Sequence, residues 1–301
     1  MSTRVPLFSV IVPTHDRPEL LAAALSSVRR QTCPDLECIV VDDASSTPAV
    51  VPDDPRFRLV RRARRGSAAA ARNDGLAVAR GRFVTFLDDD DVMLPERLAA
   101  VTPLLASAPA VVCWQGRLET GEAQNASRIE GHAIRDVLGS AVNVAQVAVR
   151  RELVPDFDES FSVSEDVDWW FRLASVVPMT TVPEVLVLHR SHDGDRLTSR
   201  SEERARQRVR LLRKHRRLLR RYPARAARMW ASAGDLYRRA GRDGDALRCY
   251  RRSFLRRPSR RAWRGVRTVA RSRRIGVEGS RVVRLPLSEQ RESPRDEAVH
   301  G

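Results

Sequence analysis

The chain opens on an alternation of short apolar runs and amphipathic stretches. Phe8–Pro13 is a β-branched run too short for a helix, and it reads as a buried strand. Pro18–Arg30 places Leu20, Leu21, Ala24, Leu25 and Val28 on one helical face, with Asp16 as the predicted N-cap and Pro18 as an early helical residue. Leu36–Val41 predicts a second strand ending at Asp42 and Asp43, and Phe57–Arg61 a third. An alanine-rich helix follows over Ser67–Arg80, ended by Gly81. Phe83–Leu87 is the fourth strand and runs into Asp88, Asp89, Asp90 and Asp91; Pro95–Ser107 is helical again.

Beyond Ala110 the pattern is mixed. It predicts strands near Val111–Leu118, Val142–Arg150 and Val185–His189, a helix over Glu165–Ala174, and a flexible polar loop over His192–Ser199. From Arg200 the chain is helical and arginine-rich, punctuated by Tyr222-Pro223, Gly241 and Pro258. Within it Trp230, Gly234, Tyr237, Gly241, Ala246, Tyr250 and Pro258 resemble one tetratricopeptide-type helical hairpin. A single copy is too few for a solenoid, so the pair is expected to dock on the rest of the chain or on a partner.

Strand–helix alternation predicts an α/β unit over residues 1–199, its sheet mostly parallel and flanked by helices. A basic all-helical extension follows over 200–275, and then a polar tail over 276–301 expected to be disordered. In such sheets ligands bind beyond the carboxyl ends of the strands. Thr14, Asp42, Asp43 and Asp88 to Asp91 would converge there.

Charge sharpens the division. Residues from Arg200 onward carry a net charge of +22 and the rest a net of −6, against +16 for the whole chain. A basic extension suggests an anionic membrane surface or a lipid-linked acceptor. A coding bias toward arginine, with Lys214 the sole lysine, would also produce it. Nucleic acid is the least favoured partner, since the extension has few aromatics for stacking and no nucleic-acid-binding motif. No run approaches the ~18–20 apolar residues of a membrane span, and the start does not read as a signal peptide. The expected location is the cytoplasm, with peripheral attachment to the inner face of the membrane. Cys33, Cys38, Cys113 and Cys249 lack zinc-site spacing and read as idle thiols.

Three acidic clusters are candidates for chemistry. Four adjacent carboxylates at Asp88–Asp91 repel one another unless a cation neutralises them; Mg²⁺ or Mn²⁺ would do so and could hold a diphosphate. A solvated acidic turn capping the next helix is the competing reading. Asp42-Asp43 suits ribose or base recognition, or a turn cap. Glu165-Asp166 opens a helix ahead of Trp169-Trp170-Phe171, and suits either a desolvated general base or a charge capping the helix dipole.

Taken together the segments resemble the family 2 glycosyltransferases, inverting enzymes with the GT-A fold. The resemblance rests on Ser9–Pro18, on Cys38–Ser46, and on Gly66–Asp91 with its Asp-rich end. It continues through Arg150–Glu152, Phe157–Glu159 and Ser164–Arg172, and so covers about residues 8–192 in order and spacing. It implies transfer of a sugar from a UDP-, GDP- or dTDP-sugar to a glycan or lipid-linked acceptor, in cell-surface glycan synthesis. It implies Thr14, Asp43, Arg72, Asp88 and Asp89 at the donor, Asp90 as metal ligand closing a D-x-D motif, and Asp166 as general base. It also implies His192 as a further metal ligand, against a plain loop histidine, and His15 lining the base pocket. Embedding the D-x-D in four aspartates leaves the metal register open by one residue. The implied class is a metal-dependent, hexosyltransferase-type enzyme. A nucleotidyltransferase would want a Gly-rich phosphate loop after the first strand, which Pro13–Pro18 is not. A decayed, non-catalytic nucleotide-sugar-binding module is the other alternative.

Overall fold

A computed structural model describes residues 4–125, 131, 142–190 and 201–279, with side chains in the last helix to residue 270. Strands β1 (Phe8–Thr14), β2 (Leu36–Asp42), β3 (Phe57–Arg61) and β4 (Phe83–Phe86) form a parallel half-sheet in the order β3-β2-β1-β4. Every residue of β1, β2 and β4 is buried, because helices cover both faces. The helices of this half are α1 (Pro18–Arg29), α2 (Ala68–Val78) and α3 (Arg97–Leu105).

Past β4 the sheet is mixed. The further strands are β5 (Val92–Met93), β6 (Ala110–Arg117), β7 (Ala123–Asn125), β8 (Val147–Arg150) and β9 (Thr180–His189). β8 runs antiparallel to β4 and to β6, β5 antiparallel to β9, and only β6 and β9 are parallel. The strand expected over 142–150 is shorter, because Asn143 caps a 3₁₀ turn over Val144–Gln146 before β8 begins.

Two local expectations are corrected. Asp16 is not the N-cap of α1: it adopts φ 51°, and its Oδ1 accepts from the Ser46 N–H at 2.7 Å and the Ser46 hydroxyl at 2.8 Å. It joins the β1–α1 turn to the turn after β2. Gly81 is not a left-handed helix stop, since α2 ends at Val78 and Ala79 is extended. Gly81 is needed for a close backbone approach: a Cβ there would lie 2.4 Å from the Ser9 nitrogen. At the other end Ser67 caps α2, accepting from Ala70 N–H at 3.2 Å.

Helix α4 (Glu165–Val176) precedes β9, and α5 (Ser201–Lys214), α6 (Arg216–Arg220), α7 (Pro223–Arg239), α8 (Asp243–Arg256) and α9 (Arg260–Gly279) form the C-terminal region. Gly241, at φ +70°, turns α7 into α8. Gly234 and Gly265 both meet the Tyr250 ring, where an added Cβ would come within 2.7 and 2.5 Å. The charge boundary near residue 200 does not interrupt the core. Ile11, Phe86, Trp169 and Phe171 belong to one buried cluster with Leu212, Trp230 and Tyr250. Cys38, Cys113 and Cys249 are buried and Cys33 half-buried, all as free thiols.

Candidate active site

The carboxyl ends of β1, β2 and β4 open into a pocket of about 570 Å³, within the range for a small-molecule site. Thr14, His15, Arg17, Asp43, Gly66, Arg72, Asp88, Asp89, Asp90 and Glu165 line it. The local cause is the α/β alternation: each buried strand ends where its backbone leaves the sheet, so the first polar side chains gather on one rim.

Asp43 is held at the β2 end by the Arg62 guanidinium and by Gly66 N–H, at 2.9 and 3.1 Å to its two oxygens. His15 Nδ1 lies 3.0 Å from the Asp43 carbonyl. Asp42 turns away from the pocket: its carboxylate accepts from Ser45 N–H at 2.8 Å and Ala49 N–H at 3.1 Å, closing the turn.

The Asp88–Asp91 run divides by side chain. Arg72, itself buried, donates to Asp88 at 2.6 Å and to Glu165 at 3.2 Å, with its guanidinium over the Phe157 ring at 5.3 Å. Burial alone would discharge Arg72, but the Asp88 and Glu165 carboxylates hold it charged. Thr14 Oγ1 donates to Asp89 at 2.9 Å, and Arg17 Nη1 sits 2.9 Å from both Asp89 and Asp90. Burial pushes the Asp89 carboxyl above its usual range despite Thr14 and Arg17. Asp91 is fully buried and lies off the pocket: His189 Nδ1 is 2.7 Å from it, and burial pushes it up to about 6. Protein cations therefore take up much of the charge that the sequence assigned to a metal.

Across the pocket, α4 starts after Ser164, which adopts φ 70°. Glu165, not Asp166, reaches the pocket wall and pairs with Arg72. Asp166 is half-buried beside it and accepts from Val167 N–H at 2.7 Å. Burial and the neighbouring Glu165 push Asp166 up to about 6. Trp169 does not face the site; it stacks on Phe157 at 5.3 Å within the core and donates to the Pro155 carbonyl at 2.7 Å.

Asp168, one helical step further, is fully buried and collects Arg172 at 2.9 Å, Lys214 at 2.7 Å and His215 at 2.7 Å. These contacts tie α4 to the junction of α5 and α6. Arg210 covers the Phe161 ring at 4.8 Å, and Glu203 accepts from Ser162 at 2.9 Å, so α5 also braces the pocket loop ahead of α4.

A family model described as Glycosyl transferase family 2 matches residues 9–150. Residues 9–150 form a family 2 glycosyltransferase domain. Relatives include y4gI of Sinorhizobium fredii, 30% identical over 183 residues, 56% of this chain and 20% of that protein. Another, from Campylobacter jejuni, is named GalNAc(5)-diNAcBac-PP-undecaprenol beta-1,3-glucosyltransferase. It is 42% identical over 104 residues, 32% of this chain and 34% of that protein. The chain thus spans about a third or less of the length of these curated relatives. Among solved structures, Staphylococcus aureus TarS 1-349 in complex with UDP-GlcNAc matches with a TM-score of 0.59 at 18% identity. That match covers 89% of this chain and 92% of that one, and it shows a shared GT-A-like fold that includes the helical C-terminal region.

In this family 2 domain the pocket gathers Thr14, Asp43, Arg72, Asp88, Asp89 and Asp90, and leaves Asp166 half-buried off its lining, next to the lining residue Glu165. His192 lies outside the described residues. Sequence reasoning missed Arg17, His189 and Asp168, and named Glu165 only together with Asp166. Arg17 carried a signal, as a cation between the first strand and its helix. The others did not, because their partners lie far along the chain. Asp88 and Asp90 face the pocket with hard oxygen donors, which suits Mg²⁺ or Mn²⁺. Among the described residues no three His, Cys, Asp or Glu side chains converge as a cation cage. Two carboxylates of this kind would suit an ion shared with substrate phosphates.

Proposed function

We propose that the chain is an inverting, hexosyltransferase-type glycosyltransferase that takes a sugar from a nucleotide-diphosphate sugar. The acceptor is a hydroxyl of a glycan or lipid-linked glycan in cell-surface polysaccharide synthesis. The observation that carries this is Arg72, which bridges the β4 carboxylate Asp88 to Glu165 beside Asp166, so donor-side and acceptor-side elements meet at one pocket. A UDP-sugar is the favoured donor, on the strength of the TarS complex with UDP-GlcNAc; GDP- and dTDP-sugars are the alternatives.

In this reading Thr14, Asp43 and Asp89 hold the nucleoside end, with His15 lining the base pocket. Asp90, with Asp88 near, would hold Mg²⁺ or Mn²⁺, which would supply positive charge for the departing diphosphate. Asp166 accepts the proton of the acceptor hydroxyl as its oxygen attacks the anomeric carbon from the face opposite the leaving group. The carbon–oxygen bond to the diphosphate breaks as the new one forms, and the configuration inverts. A carboxylate pushed up to about 6 is better suited to that proton than an exposed one and is still ionised at pH 7. With a lipid-borne acceptor, the basic helices would hold the enzyme on the cytoplasmic face of an anionic membrane.

The test is donor binding and hydrolysis across UDP-, GDP- and dTDP-sugars, with and without Mn²⁺ or Mg²⁺. Wild type is compared with Asp90→Ala and Asp166→Asn. Metal-dependent binding of one donor should be lost in Asp90→Ala. Asp166→Asn should keep binding and lose turnover about 10²–10⁴-fold. Failure to bind any nucleotide sugar would replace this reading with a decayed binding module.

A further inference from the structure

The helical region displays an apolar patch that its own core does not use. On α8 the inward residues Ala246, Cys249, Tyr250 and Ser253 are buried, while Phe254 is 38% and Leu255 83% exposed. On α9 Ala262 and Val269 are buried, and Trp263 on another face is 53% exposed. The Phe254 and Trp263 rings lie 6.2 Å apart across the turn between the two helices, with exposed Leu255 next to Phe254 in the chain. They are also the only aromatic residues, with a leucine between them, among the exposed large hydrophobics of the described residues.

The surroundings are cationic. Positions 246–277 contain twelve arginines and no aspartate or glutamate. Arg251, Arg257, Arg260, Arg264 and Arg267, on the segments flanking that turn, are exposed. A coding preference for arginine accounts for neither the missing acids nor exposed Phe254, Leu255 and Trp263 on the helix ends flanking the same turn. Water-exposed aromatics rimmed by guanidinium groups match an interface whose outer layer is phosphate and whose inner layer is hydrocarbon.

We infer that the α8–α9 turn docks on the surface of an anionic phospholipid bilayer, with Phe254, Leu255 and Trp263 entering the acyl boundary and the surrounding arginines meeting the phosphates. This deepens the lipid-surface part of the function proposed above by naming the contact. It does not depend on the chemistry at Asp166.

The experiment is co-sedimentation of the full chain with vesicles of phosphatidylcholine alone, or with phosphatidylglycerol added, at about 0.15 M salt. Binding is expected only to the anionic vesicles. The exposed triple variant Phe254→Ser, Leu255→Ser, Trp263→Ser should lose at least about tenfold in affinity. Reversing Arg257, Arg260 and Arg264 to Glu should abolish it. Brominated acyl chains should quench tryptophan emission in wild type and not in Trp263→Phe, because Trp169, Trp170 and Trp230 are buried and Trp114 is half-buried. Wild type that ignores anionic vesicles, a triple variant that binds as wild type does, or tighter binding to a DNA oligonucleotide than to vesicles would each overturn the inference. Donor hydrolysis measured on the same samples separates this outcome from a failure of the glycosyltransferase reading.

Discussion

Replacing Asp168 by alanine tests how firmly the helical region holds α4. The carboxylate is fully buried and shared by Arg172, Lys214 and His215, at 2.7 to 2.9 Å. Breaking a buried ion pair by removing one partner costs ~3–5 kcal/mol, because charge is left without compensation. Lys214 and Arg172 are 34% and 28% exposed and regain some water, whereas His215 is 10% exposed and regains little. The expected loss is therefore at the lower end, about 3 kcal/mol. Urea unfolding at pH 7 measures it, with Asp168→Asn, which keeps an acceptor oxygen, losing roughly half as much. The acid limb adds a second reading. Burial alone would raise the Asp168 carboxyl, but hydrogen bonds from His215, Lys214 and Arg172 outweigh it and hold the carboxyl below its usual range. Its contribution is thus present above the unfolded carboxylate pKa and is lost as pH falls through the lower folded one. The alanine variant should lose that part of the acid sensitivity. Because Asp168 follows Asp166 by two residues on α4, kcat should fall more than donor KM rises. A change under about 0.5 kcal/mol with unaltered kcat would refute the idea that these contacts hold α4 in place.

Three further outcomes are expected. A base pushed up to about 6 must be ionised to act, so kcat/KM should climb through pH 6 and level off above it; a plateau persisting to pH 4.5 would remove Asp166 from that role. Gly234→Ala places a Cβ 2.7 Å from the Tyr250 ring, and thermal unfolding should register a loss of about 1–3 kcal/mol; an unchanged melting temperature would mean that the α7–α8 contact is loose. Arg17→Ala removes the guanidinium 2.9 Å from both Asp89 and Asp90, so Mn²⁺ should bind more tightly in calorimetry without nucleotide; unaltered Mn²⁺ affinity would argue that Asp90 is not the ion's ligand.

Much of the donor half was legible because its signals are local. A β-branched run such as Phe8–Pro13, followed by a face of Leu21, Ala24, Leu25 and Val28, marks a strand and a helix without any knowledge of the rest. Polar residues at the ends of such strands then share a rim by geometry alone, which is why Thr14, Asp43 and Asp88–Asp90 could be placed together in advance. Gly81 was noticed for the wrong reason. A glycine after a helix has two explanations, and only the distance to Ser9 separates a left-handed stop from a close approach.

What only the tertiary structure decided are pairings between distant positions. The turn from parallel to antiparallel at β4 depends on a partner far along the chain, as in the pairing of Thr85 with Ala148. The division of the aspartate run depends on Arg17, Arg72 and His189, which come from three different elements. Asp168 meets Lys214 and His215 across 46 and 47 positions, from helices that composition had assigned to another unit. A sequence determines by itself the periodicities that a few consecutive residues impose through sterics and burial. Which charge neutralises which is set by packing, because Coulomb attraction acts on distance in space and is blind to order along the chain.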